Sequence, residues 1–139
     1  MEYKLNQKIW HIEINNAVKE ERDWRPNGVN VKELKIIGIS PYKVCLNNDW
    51  FTSLDYEKDG EKKDKSYKTY LDDVSVSIRT RDNVLGDGVF VSMYSTKEPS
   101  QKILDRMVAK ASNKIDKEYG FLFDGVKSKL WDMVQNYKL

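Results

Sequence analysis

The hydrophobic period changes once along this chain, near residue 96, and that change dictates the class of fold. Before it, apolar residues alternate with polar ones. After it, they recur every three to four positions. Period two marks a half-buried strand and period 3.6 an amphipathic helix. A chain that runs strands first and helices second belongs to the α+β class, with the helices gathered on one side of an antiparallel sheet. At 139 residues it is long enough to bury a core of its own. We read one domain over residues 1–139, β-rich from 1 to 95 and helical from 96 to 139.

The first strand signal is Lys8-Ile9-Trp10-His11-Ile12-Glu13-Ile14, where Trp10, Ile12 and Ile14 alternate with His11 and Glu13. Trp24-Arg25-Pro26-Asn27-Gly28 is turn chemistry, because Pro fixes φ while Asn and Gly tolerate positive φ. Val29–Ile39 is rich in Val and Ile and predicts a strand, broken at Ser40-Pro41. Tyr42–Leu46 and Trp50–Leu54 predict two more short strands around a turn at Asn47-Asn48-Asp49, which together make an antiparallel meander. Residues 57–65 hold four acidic and four basic side chains around Gly60 and no apolar anchor, so they predict a mobile, solvated loop, the alternative being a hairpin tip with Asp59-Gly60 at its turn. Val74–Thr80 and Val89–Tyr94 alternate cleanly. Between them, Gly86-Asp87-Gly88 suits a bulged hairpin loop.

Ile103, Leu104, Met107, Val108, Ala111, Ile115 and Tyr119 then fall at helical spacing. Thr96 is the expected N-cap, with Pro99 in the first turn and Gly120 at the C-terminal end. A shorter helix is expected from Asp124 to Tyr137, with Val126, Leu130, Val134 and Tyr137 on one stripe. The expected architecture is a curved antiparallel sheet or small SH3-like barrel, closed by a long C-terminal helix and a second shorter one.

Charge is nearly balanced, with 24 Lys+Arg against 22 Asp+Glu. The excess of basic over acidic groups is one in residues 1–70 and one in residues 71–139, so neither half is a basic arm. An electrostatic partner must be met by a local patch. No run of 18 apolar residues spans a membrane, and Met1-Glu2-Tyr3-Lys4-Leu5 offers no apolar signal core, which makes a cytoplasmic location the expectation. A single cysteine excludes an internal disulfide framework and a multi-cysteine zinc site. No cofactor and no metal are expected.

Four constellations bear on function. His11 and Cys45 are the only residues from which a thiol–imidazole dyad could be built, both at outward strand positions. Asp72, Asp73, Asp82 and Asp87 have the chemistry of Mg²⁺ ligands, yet they sit in turns, where Asp serves local backbone hydrogen bonds. Arg79, Arg81, Phe90 and Tyr94 can share the outward face of one hairpin. Arginine beside aromatics holds single-stranded nucleic acid or anchors a protein interface; packing beneath a helix is the bland alternative. Trp24 and Arg25 form a second candidate contact, next to the alternative that Trp24 folds back as a lid.

The order Lys8–Ile14, Val31–Ser40, Tyr42–Asn47, Trp50–Leu54, followed by a late strand and helix, resembles small KOW-like or Tudor-like β-barrels with a helical appendage. Gly38 is the nearest candidate for the strand-junction glycine of the KOW pattern. The abundance of Lys, Asn, Asp and Tyr, without a catalytic motif, is also similar to small early proteins of T4-type bacteriophages. That resemblance implies a non-enzymatic accessory or regulatory protein that docks on a host protein in the host cytoplasm. The expected contact residues are Arg79, Arg81, Phe90, Tyr94, Trp24 and Arg25. The alternative is a nucleic-acid-binding module using Arg79 and Arg81 with Lys62, Lys63 and Lys65. A small metal-dependent enzyme built on the acidic turns is the remote alternative. Partner identity and oligomeric state are not written in the sequence.

Overall fold

A computed structural model describes residues 3–16, 28–47, 52–56, 71–81, 84–119 and 124–137; at residues 52, 78–81, 84–87, 119 and 124 it describes the backbone alone. Six strands form one antiparallel sheet: β1 (Lys8–Asn16), β2 (Gly28–Ile39), β3 (Lys43–Asn47), β4 (Thr52–Asp55), β5 (Val74–Arg81) and β6 (Val84–Ser95). Two helices follow, α1 (Gln101–Tyr119) and α2 (Asp124–Asn136). The strand order is β4-β3-β2-β1-β6-β5, so the meander of the first four strands continues through β1 into the β5–β6 hairpin. The sheet curls into a half-barrel, and the fold is α+β.

The alternation in β1 sorts its side chains between two faces. Ile12 and Ile14 lie opposite Met93 and Val91 of β6, and all four are fully or almost fully buried. They join Val74 and Val89 beneath Leu104, Met107, Val108, Ala111 and Ile115 of α1 and Val126, Leu130 and Val134 of α2. Trp10 packs against the rim of this cluster. Both helices therefore cover one face of the β1–β6–β5 half.

A second core lies on the other face, where the sheet curls on itself. Ile9, Leu34, Ile36, Val44, Leu46 and Leu54 are buried together, rimmed by Tyr3, Tyr56, Leu71 and Tyr94. The register places Ile9 opposite Leu34, Ile36 opposite Leu46 and Val44 opposite Leu54. A shift between Ile36 and Gly38 inserts one extra residue in β2. Such a bulge bends a strand and increases its twist, which suits a curling sheet. Gly28 opens β2 at φ 124°, a conformation that only glycine adopts without strain.

Two local expectations are corrected. Helix α1 is capped by Ser100 and not by Thr96: the Ile103 N–H donates to Ser100 Oγ at 3.3 Å and the Leu104 N–H to the Ser100 carbonyl at 3.1 Å. Pro99 precedes the cap. Thr96 is engaged elsewhere, its N–H and hydroxyl donating to the two carboxylate oxygens of Asp72 at 2.9 and 2.8 Å. The hairpin loop is also shorter than the glycines suggested, because β6 begins at Val84 and absorbs Gly86-Asp87-Gly88 through a register shift. The expected loop at 57–65 and the turn at 24–27 lie outside the described residues.

Candidate functional site

The face opposite the helices, where β1 meets β6, carries a group of chemically capable side chains. Strand alternation puts His11, Glu13 and Asn15 there, and the register sets them against Tyr94, Ser92 and Phe90 respectively. Met93 packs under the helices while its neighbour Tyr94 rims the second core, which fixes the direction of this face. The His11 and Tyr94 rings are stacked 4.2 Å apart and 4° from parallel. His11 Nε2 lies 2.9 Å from Ser92 Oγ and 3.3 Å from Glu13 Oε1. With its proton on Nε2, the imidazole donates toward these oxygens; the acceptor tautomer instead receives the serine hydroxyl. Burial, and then the Glu13 carboxylate, hold the Tyr94 hydroxyl above the usual tyrosine range. His11, Glu13, Phe90 and Tyr94 are half-buried and Asn15 and Ser92 are buried, so the group is aromatic in the middle and polar around it.

Phe90 and Tyr94 are brought to this one face, as their spacing predicts, and the helices pack on the opposite one. Arg79 and Arg81 belong to β5, opposite Gly88 and Val84. Only one residue separates the arginines, but three separate their partners. The pairing between them is thus irregular, and the rule that residues two apart point the same way does not carry across it. Their side chains, like Trp24, Arg25, Lys62, Lys63 and Lys65, lie outside the described part.

The thiol–imidazole dyad does not form. Cys45 alternates with the buried Val44 and Leu46 and so faces away from the second core, whereas His11 shares the face of Ile9, two strands distant. The thiol instead approaches Ser53 Oγ at 3.9 Å. Two of the four turn carboxylates serve the backbone: Asp73 Oδ1 accepts the Val74 N–H at 2.9 Å and Asp72 holds Thr96. Among the described residues, no three His, Cys, Asp or Glu side chains converge as a metal site requires, and no helix is long and apolar enough to cross a membrane.

Glu13 and Ser92 are site residues that the sequence did not single out, and it offered His11 only as a partner of Cys45. Their strand positions were legible, but the pairing of β1 with β6 across some 80 residues was not. No family model, no curated protein and no solved structure matches the chain.

Proposed function

We propose that this protein is a non-enzymatic accessory or regulatory binding protein that docks on a protein partner through the β1–β6 face. One observation carries the reading: the His11–Tyr94 stack, with Phe90 on the same face and Ser92 and Glu13 around it, lies where neither helix covers the sheet. Aromatic centres with polar surroundings are the usual composition of protein interface anchors. The phage-like composition makes a host protein the partner class of choice. A phosphate backbone suits this face less well, because the Glu13 carboxylate stands in its middle and would repel it.

The experiment is affinity capture from host lysate with nuclease present, followed by titration of the captured protein. Phe90→Ala and Glu13→Arg should each weaken binding about tenfold or more, near 1.4 kcal/mol, with an unchanged circular dichroism spectrum. Affinity that survives both changes would remove this face from the interface. Affinity that falls steeply with salt would favour nucleic acid instead.

A further inference from the structure

The charges of α1 are sorted around its axis in a way that its packing explains only in part. Leu104, Val108, Ala111 and Ile115 form the buried stripe. Diametrically opposite, at 3.6 residues per turn, run Lys102, Arg106, Lys110, Asn113 and Lys117. Lys102, Arg106, Lys110 and Lys117 are exposed, and none of them pairs with a described residue. The carboxylates of α1 are turned aside. Asp105 accepts hydrogen bonds from Gln101 at 3.1 Å and from Gln135 of α2 at 2.9 Å, and Asp116 is bonded by Lys127 of α2. Glu118 lies off the ridge, beyond its C-terminal part. A fifth cation, Lys114, sits on the β5 flank and donates to the Val74 carbonyl. Two neighbours at i and i+4 along this ridge stand about 6 Å apart along the axis.

Beside the ridge is an aromatic side chain that the core does not use. Lys127, Trp131 and Gln135 are spaced i, i+4, i+8, so they form one row on α2. The two outer members of that row are bonded to Asp116 and Asp105 of α1. Trp131 therefore lies alongside the middle of α1, on the Asp105–Asp116 flank that adjoins the cationic ridge. It is 37% exposed, and stacks on no other ring among the described residues. A row of unpaired cations beside a partly exposed indole matches how single strands are held, by phosphate contact and base stacking together.

We propose that the outer face of the α1–α2 hairpin binds single-stranded nucleic acid, with Lys102, Arg106, Lys110 and Lys117 on the phosphates and Trp131 against a base. This surface is on the helical layer, separate from the β1–β6 face, so either proposal can fail without the other. A protein that carries both surfaces would bring a protein partner to a nucleic-acid strand.

The probe is a fluorescent dT20 oligonucleotide, titrated by anisotropy between low and moderate salt. Three to four phosphate contacts predict a slope of log K on log salt of about −2 to −3. Charge neutralisation by Lys102→Gln, Arg106→Gln and Lys110→Gln together should weaken binding at least about tenfold and flatten that slope. Trp131→Ala should weaken it at least about fivefold while Trp131→Phe retains most of it. Glu13→Arg should leave it unchanged, and thermal melts verify that each variant is folded. The proposal is overturned by no binding of dT20 at low salt, by undiminished binding in the triple variant, or by indifference to Trp131→Ala. Equal competition by phosphatidylserine vesicles would overturn it too, since the face would then be a membrane contact.

Discussion

The two cores of this molecule sit on opposite faces of one sheet and are closed in different ways. The first is a layer against a layer: aliphatic side chains of β1, β5 and β6 meet aliphatic side chains of two helices adjacent in the chain. The second is the inside of a curl, built wholly from strand residues and rimmed by three tyrosines and Leu71. Helices can cover a face completely because their own backbone bonds are internal. A curling sheet leaves a mouth, and tyrosines suit a mouth because the ring packs inward while the hydroxyl finds a polar partner. Tyr56 does so, donating to the Ser40 carbonyl at 3.1 Å, while its ring meets Tyr3 edge-on at 5.0 Å. Covered faces are thus stable platforms, whereas the mouth and the sheet beside it keep polar chemistry within reach of a partner.

The largest expected effect tests whether the two cores are independent. Leu104 in the first and Leu46 in the second are both fully buried. Leu104→Ala and Leu46→Ala should each cost about 2–5 kcal/mol in urea denaturation. Their effects should add to within about 0.5 kcal/mol, because the sheet lies between them and they share no neighbours. A coupling well beyond that would merge the two into one packing unit. A loss below about 0.5 kcal/mol at either position would mean that side chain is not core.

A smaller effect is expected where the cores meet. Leu71 rims the second core and Val74 belongs to the first, with Asp72 between them at φ 63°. Its N–H donates to the Tyr94 carbonyl at 2.6 Å, and its carboxylate holds Thr96, the residue after β6. Asp72→Ala removes both acceptors and leaves a residue that tolerates positive φ poorly, so it should cost about 1–3 kcal/mol. Asp72→Asn keeps an acceptor oxygen and a side chain suited to that φ, and should cost less. Equal losses for the two variants would show that the carboxylate charge matters and the conformation does not.

How legible this was in the sequence follows the range of the interactions. The helices were readable because a period of 3.6 is a local property, and Val126, Leu130 and Val134 are buried as their stripe predicts. The strands were readable for the same reason, except where β6 takes in the glycines after Asn83. The second core left a trace that alternation alone does not interpret. In β2 the inward phase slips from the half-buried Val29 and Val31 to the buried Leu34 and Ile36, and in β1 Ile9 stands out of phase with Ile12 and Ile14. A phase slip within a strand means that the strand serves one core at one end and another core at the other. The His11–Tyr94 stack was not readable, since it depends on a register between strands separated by most of the chain. Phe90 and Tyr94 were found by spacing; His11 and Glu13 needed the strand order.

The smallest effect separates the two cores by pH. Tyr94 and Tyr3, both at the mouth of the second core, hold their protons above the usual tyrosine value near 10. For Tyr94 the causes are burial and then the Glu13 carboxylate. For Tyr3 they are burial, then Asp72, then Tyr56. In the unfolded chain these hydroxyls ionise at the ordinary value, so above it the unfolded state binds fewer protons than the folded one. Stability must then fall as pH rises. The contribution is intact below about pH 10 and is lost as pH climbs from there through the raised folded-state values. Urea midpoints between about pH 8 and about pH 11 should therefore drop in the native protein. Tyr3→Phe with Tyr94→Phe should reduce that drop, because phenylalanine has no proton to lose. Leu104→Ala should lower every midpoint and leave the drop unchanged, since Tyr3 and Tyr94 rim the second core and Leu104 belongs to the first. A drop that persists in the double phenylalanine variant would place the alkaline sensitivity outside the mouth of the curl.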